Sequence, residues 1–257
     1  MRIVVAIKQI LNPAGVVVNL RREMIFVNRE EYILGPADKC ALEVALQWKE
    51  AVGAEVVAVS LGPARADDAL REALAMGADA AYHLADPAFD QADIAVATRA
   101  LAAAIRRLEP VDLVLVGDRS GDTGSGQVGP RLAEALGLAQ VTGAVRVRPA
   151  DGAAEVVRRW QGQFAKVRVP LPALVAVAAG SVKPRYPHGA RIMNAYRQWQ
   201  VARWSAADLG LAEDLRPLVV YRGQAFPPAP EVGEMVRGEP AEAARELWNI
   251  LKTQKLV

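Results

Sequence analysis

The chain has 257 residues, a formal net charge of +2, 52% hydrophobic residues and a single cysteine, Cys40. A chain of this length can bury a large core as one α/β domain, alone or with an arm, and its charge balance favours no polyanionic partner. The lone cysteine excludes a disulfide framework and a cysteine metal site. No uninterrupted apolar run reaches the roughly 18 residues of a membrane span, and the first apolar run is too short for a signal peptide, so we expect a cytoplasmic protein.

Strand and helix patterns alternate along the first half of the chain. Short apolar runs predict strands, and apolar residues three and four positions apart predict helices. In chain order we predict a strand at 3–7, a helix at 36–48, a strand at 55–60, a helix at 66–76, a strand at 80–84, a helix at 94–108 and a strand at 113–116. This βαβαβαβ order predicts an α/β, Rossmann-like fold, in which a parallel sheet carries helices on both faces.

The second half of the chain follows a different pattern. Strand candidates at 141–148 and 155–160 flank Asp151-Gly152, a pair typical of a hairpin turn, and two more lie at 164–169 and 173–178. From Gly180 the pattern is irregular, although the run from Ser205 to Asp208 resembles a capping box that starts a short helix. A proline-rich stretch at 223–240 then precedes a helical pattern at 241–251.

Residues 112–134 are the most informative segment, because a polar, Gly-rich loop there joins the fourth strand to a helix. Glycines let backbone amides approach an anion, and a helix start adds partial positive charge. Pro130 suits the first helical position, where no amide is needed. Ordinary connections of this kind span about 2–6 residues, so the loop favours nucleotide binding over a plain strand-to-helix connection.

The stretch from Gly124 to Gly129 matches the Gly-x-Gly-x-x-Gly fingerprint of dinucleotide-binding folds letter for letter. However, six residues separate it from Gly117, which stands at the strand end where the first glycine of a true fingerprint belongs. Asp151, at the distance of the ribose-binding acid, lies in the predicted hairpin turn. A standard NAD-binding fold is therefore disfavoured. We predict a nucleotide-binding domain at 1–205 with an antiparallel hairpin extension, and a C-terminal arm and helix at 206–257 that pack on the domain or on a partner.

No acidic residue occurs from Val156 to Ala207, a window with nine basic residues and several aromatic ones. The basic residues are Arg158, Arg159, Lys166, Arg168, Lys183, Arg185, Arg191, Arg197 and Arg203. Such a window indicates docking of an acidic protein or of a flavin pyrophosphate, or else a solvated face that acids elsewhere balance. Nucleic acid is disfavoured, because the chain has no recognition-helix, RNA-binding or zinc-finger pattern.

Groups for catalysis are scarce in this sequence. The two histidines, His83 and His188, complete no Ser-His-Asp or Cys-His set, and no metalloprotease, C-x-x-C or P-loop motif is present. We therefore predict no catalytic residues and no metal ligands. A nucleotide site without such a constellation indicates a carrier or cofactor-binding subunit. The alternative is a nucleotide-binding enzyme or sensing module on the same fold, without a flavin redox role.

Several segments in order over residues 1–210 resemble the beta subunit of electron transfer flavoprotein. They are the opening VVAIKQI, Gly35 to Asp38 with Ala41-Leu42-Glu43, Ala58 to Pro63, Ala73 to Asp79, Gln127 to Pro130, Leu132 to Glu134, Gln140 to Thr142, Lys183 to Pro187, and Ile192-Met193. The resemblance implies a heterodimer with an FAD-carrying alpha subunit. It also implies electron transport from dehydrogenases to a quinone reductase or another acceptor, with Lys8 to Pro13 near the partner's flavin.

The resemblance also assigns site residues by position. It assigns adenine nucleotide contacts to Ala6, Gly35, Pro36, Ala37, Asp38, Leu61, Gly117, Asp118, Arg119, Ser120, Gly121, Asp122, Thr123, Gly124, Ser125, Gly126, Gln127 and Val128. It assigns partner docking to Arg185, Tyr186, Gly189, Ile192 and Met193.

Two departures from the family pattern bear on these assignments. Ordinary members bind AMP and carry an acidic run, whereas Ser120 to Gln127 leaves more room here and is nearer to the Fix-type, bifurcating branch. In that branch the same site holds a second FAD, so the cofactor of this chain, AMP or FAD, stays open. Gly189 lies near the position of the family's docking leucine, and glycine cannot fill an apolar pocket. The usual acyl-CoA dehydrogenase partner is therefore in doubt.

Overall fold

The computed structural model describes residues 1–211, 215–220, 222, 226, 233 and 235–257. They belong to two compact units, Met1–Val220 and Tyr221–Val257. Most of the proline-rich segment predicted at 223–240 lies outside the described residues. No described helix is long and apolar enough to cross a membrane.

The first unit is built around one nine-stranded sheet and two small two-stranded sheets. Its strands are β1 (Arg2–Ala6), β2 (Gln9–Leu11), β3 (Val16–Asn19), β4 (Met24–Val27), β5 (Tyr32–Leu34), β6 (Glu55–Leu61), β7 (Ala80–Leu84), β8 (Leu113–Gly117), β9 (Ala139–Ala150), β10 (Ala153–Trp160), β11 (Gln163–Pro170), β12 (Ala173–Val177) and β13 (Ala202–Trp204). Its helices are α1 (Pro36–Val52), α2 (Asp67–Met76), α3 (Ile94–Arg107), α4 (Val128–Leu136) and α5 (Gly189–Arg197).

The large sheet has the order β11-β10-β9-β12-β8-β1-β6-β7-β13. From β9 to β13 all neighbouring strands are parallel, whereas β10 and β11 add antiparallel strands at one edge. The predicted Rossmann-like α/β fold is thus confirmed. The hairpin turn is also where the sequence predicts it, since Asp151-Gly152 joins β9 to β10 with Gly152 at a φ of 60°.

Two hydrophobic clusters lie on opposite faces of the large sheet. Successive residues of β1 alternate between them: Ile3 and Val5 belong to the cluster that includes α1 and α2, and Val4 and Ala6 to the one that includes α3 and α4. This alternation follows from the two-residue period of a strand. Because both faces are covered, the parallel strands are continuous apolar runs rather than alternating ones.

Several elements of the first unit are absent from the sequence-based prediction. The strands β2 to β5, the helix α5 and the strand β13 lie in segments that carry no clear period. They are short, and the apolar side chains of β3 and β4 face solvent, so their pattern differs from that of a half-buried strand. At Ser205 the capping-box bonds do form, with Ser205 N donating to Asp208 Oδ2 at 2.8 Å and Asp208 N to Ser205 Oγ at 3.1 Å. They close a turn at 206–210, so the short helix predicted to start at Ser205 is wrong.

The second unit contains the helix α6 (Pro240–Thr253), which accounts for the helical pattern at 241–251. No side chain of α6 is buried, and Leu247 and Trp248 are both about half exposed. A helix with an apolar face that stays exposed is typical of a segment that binds another surface.

Candidate functional site

Predicted site residues from distant parts of the chain meet at the carboxyl edge of the parallel strands. Ala6, Leu61 and Gly117 end three adjacent strands, β1, β6 and β8. Antiparallel pairing of β2 with β5 brings the start of α1 to the same edge, where Gly35 N donates to Lys8 O at 2.9 Å. In open α/β sheets this edge is where ligands bind.

Asp38 is the most deeply buried charged residue of this edge, with 8% of its surface exposed. Its Oδ2 accepts a hydrogen bond from Lys8 N at 2.9 Å, and its Oδ1 accepts one from Gly117 N at 3.0 Å. Burial raises the pKa of Asp38 to about 7, although the two amides and the Lys8 ammonium favour the ionised form. The carboxylate therefore joins the ends of β1 and β8 from the first turn of α1.

Glycine is required at the two positions that flank this carboxylate. A Cβ added to Gly117 would overlap Oδ1 of Asp38 and would lie 2.8 Å from Cβ of Ala37. A Cβ added to Gly35 would lie 2.8 Å from Oδ2 of Asp38. Close packing against α1 thus explains why residue 117, at the end of β8, is a glycine, whether or not a ligand also approaches it.

The loop after β8 is held by its own polar groups and by Lys8. Gly124 N donates to Ser120 O at 3.0 Å, and the hydroxyls of Ser120 and Thr123 lie 2.8 Å apart. Lys8 Nζ pairs with Asp122 Oδ2 at 2.5 Å. Partial burial opposes ionisation of Asp122, but the hydrogen bonds from Lys8 and Ser120 prevail and lower its pKa. Asp122 is therefore ionised and neutralised by Lys8.

Free backbone amides follow this loop. In the part of the chain that the structure describes, the amides of Ser125, Gly126, Gln127, Val128 and Gly129 donate to no protein oxygen. The side chain of Gln127, the N-cap of α4, makes no capping bond either. Amides of a helix start that have no protein acceptor form an anion cradle.

The two glycines that the sequence singled out in the loop have left-handed backbones, with φ of 62° at Gly124 and 63° at Gly126. The placement of Pro130 at the first helical position is wrong, because α4 begins at Val128 and Pro130 is its third residue. Proline is tolerated there because the first four amides of a helix have no partner within the helix.

The predicted docking residues lie together on α5 and on the segment before it. Tyr186 is 89% exposed and Met193 is 51% exposed, and a side chain at Gly189 would meet nothing within 4 Å. Ile192 packs partly into the core. Arg185 is held by α1, since its guanidinium pairs with Glu43 at 2.8 Å and with Glu50 at 2.6 Å, and both carboxylates raise its pKa.

The basic window is divided among several surfaces in the structure. Arg191 donates to Ala75 O at 2.7 Å, and Arg203 lies 3.8 Å from Asp67, so these residues hold their own elements together. The strand register instead groups exposed residues of β9, β10 and β11 on one side of the sheet. We call this group the basic sheet face; its members are Arg146, Arg148, Arg159, Phe164, Lys166 and Arg168. Arg146, Arg159 and Phe164 also line a cavity of about 470 Å³ with Gly180 and Ser181.

Arg146 and Arg148 belong to this face but lie outside the basic window. Their signal in the sequence is the alternation of charged and apolar residues from Val145 to Arg148, whose meaning depends on the pairing with β10. The double role of Lys8, as an amide donor to Asp38 and a cation beside Asp122, also had no signal, because both partners are distant in sequence.

Comparison with known proteins agrees with this geometry. Residues 23–209 match the family model described as electron transfer flavoprotein domain. The chain is 36% identical over 263 residues to the caffeyl-CoA reductase-Etf complex subunit CarD of Acetobacterium woodii, with 100% of both chains covered. It is 36% identical to the electron transfer flavoprotein subunit beta of Bacillus subtilis, with 88% of each chain covered. It is 33% identical to protein FixA of Bradyrhizobium diazoefficiens, with 93% of this chain and 88% of that protein covered.

These matches extend over nearly all of the chain, and they agree with the resemblance found in its sequence. An enzyme or a sensing module without a redox role is not favoured. The chain belongs to the beta subunits of the electron transfer flavoprotein family, whose role is electron transfer together with an alpha subunit.

Proposed function

We propose that this chain binds an adenine nucleotide, AMP or FAD, in the Gly-rich cradle. With an FAD-carrying alpha subunit it would transfer electrons from dehydrogenases to a quinone reductase or another acceptor, in the cytoplasm. The observation that carries the nucleotide proposal is the run of free amides from Ser125 to Gly129 at the start of α4. A phosphate is the ligand that such a run binds best.

The residues around the cradle fit a nucleotide. The amides would receive the phosphate, and the strand ends at Ala6 and Leu61, with Gly35 to Asp38, would enclose the adenosine. Because Lys8 neutralises Asp122, the loop does not repel an anion. When bound, FAD would supply one- and two-electron transfer, whereas AMP would supply none.

The segment from Lys8 to Pro13 would lie between this cradle and the flavin of the alpha subunit. A Cβ added to Gly121 would lie 2.8 Å from Cδ1 of Ile10, so the segment packs directly on the Gly-rich loop. We propose that this chain shields one side of the partner's flavin and that electrons pass without a covalent step. No group of this chain has to donate or accept a proton.

Two surfaces would bind protein partners. We propose that the basic sheet face binds acidic side chains of the alpha subunit, because Arg146, Arg148 and Arg159 are exposed and have no acidic partner among the described residues. We propose that α5 and the segment before it bind the electron donor. Gly189 presents no apolar side chain there, so the donor differs from the acyl-CoA dehydrogenases of ordinary members.

Extraction of the nucleotides from the purified, co-expressed heterodimer, followed by identification by mass, tests the proposal. One AMP and one FAD per heterodimer would make the complex an ordinary one-flavin carrier. Two FAD and no AMP would place it in the bifurcating branch. A heterodimer that has no nucleotide apart from the alpha subunit's FAD would show that the cradle is wrongly assigned.

A further inference from the structure

We infer that Asp38 is the positioning residue of the nucleotide cradle, and that its ionised carboxylate holds the ends of β1 and β8 so that the free amides of the loop can receive a phosphate. The inference rests on the proposed nucleotide function. It assigns to Asp38 a role that is distinct from contact with the ligand.

The geometry directs this carboxylate inward, to the backbone. Both of its oxygens accept amide hydrogen bonds, from Lys8 at 2.9 Å and from Gly117 at 3.0 Å. Gly117 is the last residue of β8, and the Gly-rich loop follows it directly. Asp38 therefore determines where the loop begins. A carboxylate would repel a phosphate, so direct contact with the phosphate is not its role.

The same carboxylate positions the segment that would face the partner's flavin. Asp38 accepts a hydrogen bond from the amide of Lys8, which is the first residue of that segment. The ammonium of Lys8 in turn pairs with Asp122 of the loop at 2.5 Å. Lys8 is thus held to Asp38 through its amide and to the loop through its ammonium. A change at Asp38 would therefore act on the position of Lys8 as well as on the start of the loop at Gly117.

Burial of this carboxylate is costly, and no cation pairs with it directly. Among the charged groups around it, the Lys8 ammonium is engaged by Asp122, and Lys39 on α1 pairs with Glu72 at 2.7 Å. Asp122 adds a second negative charge, and β12 brings only apolar side chains to this edge. A buried charge kept at such a cost is consistent with a positioning role rather than a stabilising one.

Protonation of Asp38 would weaken the clamp, by which we mean the two hydrogen bonds that its carboxylate accepts from Lys8 N and Gly117 N. The ionised carboxylate accepts two amide bonds, whereas the protonated group has a hydroxyl on one oxygen, which accepts poorly from the amide that faces it. The pKa of about 7 places this change near neutral pH. Nucleotide affinity should therefore fall as the pH is lowered through 7.

The test measures the dissociation constants of AMP and FAD for the full-length chain from pH 5.5 to 8.5, in the wild type and in Asp38→Asn. Asp93→Asn is the matched control, because Asp93 is also a buried carboxylate that accepts backbone amides, from Val96, Leu218 and Val219. Circular dichroism at each pH verifies that the chains remain folded.

For the wild type we expect an affinity loss of about tenfold between pH 8 and pH 6, the size of one charge-assisted hydrogen bond. Asp38→Asn should bind about tenfold more weakly at pH 8. Its affinity should change with pH only as far as titration of the ligand's own phosphate requires. Asp93→Asn should follow the wild-type profile.

Three results would overturn the inference. They are a wild-type profile in Asp38→Asn, a wild-type affinity that rises as the pH falls, and a loss of the transition in Asp93→Asn. If the wild type binds neither nucleotide at any pH, the proposed function fails first, and the inference fails with it. If Asp38→Asn does not fold, the affinity profiles of the wild type and of Asp93→Asn test the inference without it. A wild-type affinity that does not change with pH would contradict the role of Asp38.

Discussion

At the scale of single residues, the cradle depends on a close packing of carboxylate and glycine. Asp38 and Gly117 lie too near each other for a side chain at residue 117, and Gly35 is restricted in the same way. Their positions are 79 residues apart in the chain, so the hydrogen bond between them is a product of the fold. Substitutions here should act on stability and on nucleotide binding separately.

The first prediction concerns the pH dependence of stability at Asp38. Its pKa is about 7 when folded and near 3.8 when unfolded, so the folded chain binds this proton more tightly. The stability contribution of Asp38 therefore falls as the pH rises from about 4 to about 7 and is constant above that. Relative to Asp38→Asn, the wild type should lose about 2–3 kcal/mol between pH 5 and pH 8. Urea unfolding at both pH values measures this, and an equal difference between the two chains at both pH values would contradict it.

The second prediction concerns Gly126, whose φ of 63° places it in the left-handed region within the run of free amides. Gly126→Gln should weaken the binding of AMP or FAD by tenfold or more, because a side chain strains the backbone and blocks the approach of a phosphate. The control is Gly152→Ala, at a φ of 60° with nothing within 4 Å of the added Cβ. That variant should lose about 1–2 kcal/mol of stability at most and keep its affinity. Unchanged affinity in Gly126→Gln would show that the cradle lies elsewhere.

At the scale of elements, one carboxylate joins a helix to a later segment of the first unit. Asp93 is the N-cap of α3, where its Oδ1 accepts from Val96 N at 2.9 Å. Its Oδ2 accepts from Leu218 N at 2.6 Å and from Val219 N at 3.0 Å. Burial opposes ionisation, but these amides prevail and lower the pKa of Asp93. The cap residue of α3 thus also holds the end of the first unit.

The third prediction follows from this shared cap. Asp93→Ala should destabilise the chain at pH 7 by about 1–3 kcal/mol, because a helix cap and two further amides lose their acceptor. Asp90→Ala, at an exposed position three residues earlier, should change stability by less than about 0.5 kcal/mol. Since the folded pKa of Asp93 is depressed, the wild type should lose this advantage as the pH falls below the ordinary value of 3.8. Urea midpoints at pH 7 and pH 3 measure both effects.

The basic sheet face is also a property of elements, because it arises from the pairing of three strands. Its arginines alternate with core residues along β9 and β10, so that Val147 and Val156 are buried on the opposite side. One acid, Glu155, lies on the same side and pairs with Lys166 at 3.1 Å, so the face keeps an excess of positive charge. An exposed face with such an excess and with Phe164 beside it is typical of a surface that binds a partner.

The fourth prediction tests that face by charge reversal. Arg146→Glu with Arg159→Glu should slow association with the alpha subunit by about tenfold or more at low salt, and the effect should shrink as salt is added. The control is Arg21→Glu with Arg22→Glu, two exposed arginines between β3 and β4. Surface plasmon resonance at roughly 20 mM and 300 mM salt measures these association rates, because the Debye length changes severalfold between the two concentrations. Equal rates for the two double variants would remove this face from the interface.

At the scale of the whole molecule, the chain divides at Val220 into a sheet-based unit and a unit that contains α6. Both hydrophobic clusters belong to the first unit, and the residues assigned to the nucleotide also lie there. The helix α6 buries no side chain. We propose that it binds the alpha subunit, which leaves folding and nucleotide binding to the first unit.

The fifth prediction is a truncation at this division. A chain that ends at Val220 should unfold within a few degrees of the full chain and keep its nucleotide affinity, because it keeps both core clusters. It should lose affinity for the alpha subunit by tenfold or more, since the apolar face of α6 is absent. Differential scanning calorimetry and pull-down by the tagged alpha subunit measure these properties. A truncated chain that still binds the alpha subunit as tightly would contradict the proposed role of α6.

The sequence alone was sufficient for the alternation of strands and helices, the parallel sheet, the Asp151-Gly152 turn and the loop from Gly117 to Val128. These features have local causes: apolar periods, turn residues and glycines in a polar run. The family was also readable from short segments in order. The segments that were missed, such as β2 to β5 and α5, are short and are held by pairing and packing with distant residues.

Only the tertiary structure decided how the site is assembled. The clamp of Asp38 on Lys8 and Gly117, the pairing of Lys8 with Asp122 and the grouping of Arg146 with Arg159 all join residues that are far apart or on different strands. Likewise, Arg185 and Arg191 belong to the same basic window as Arg159 but are engaged within the protein. Local periodicity carries no information on such contacts, because they depend on strand order and register. The sequence thus determined which residues could bind an anion or a partner, and the fold determined which of them remain free to do so.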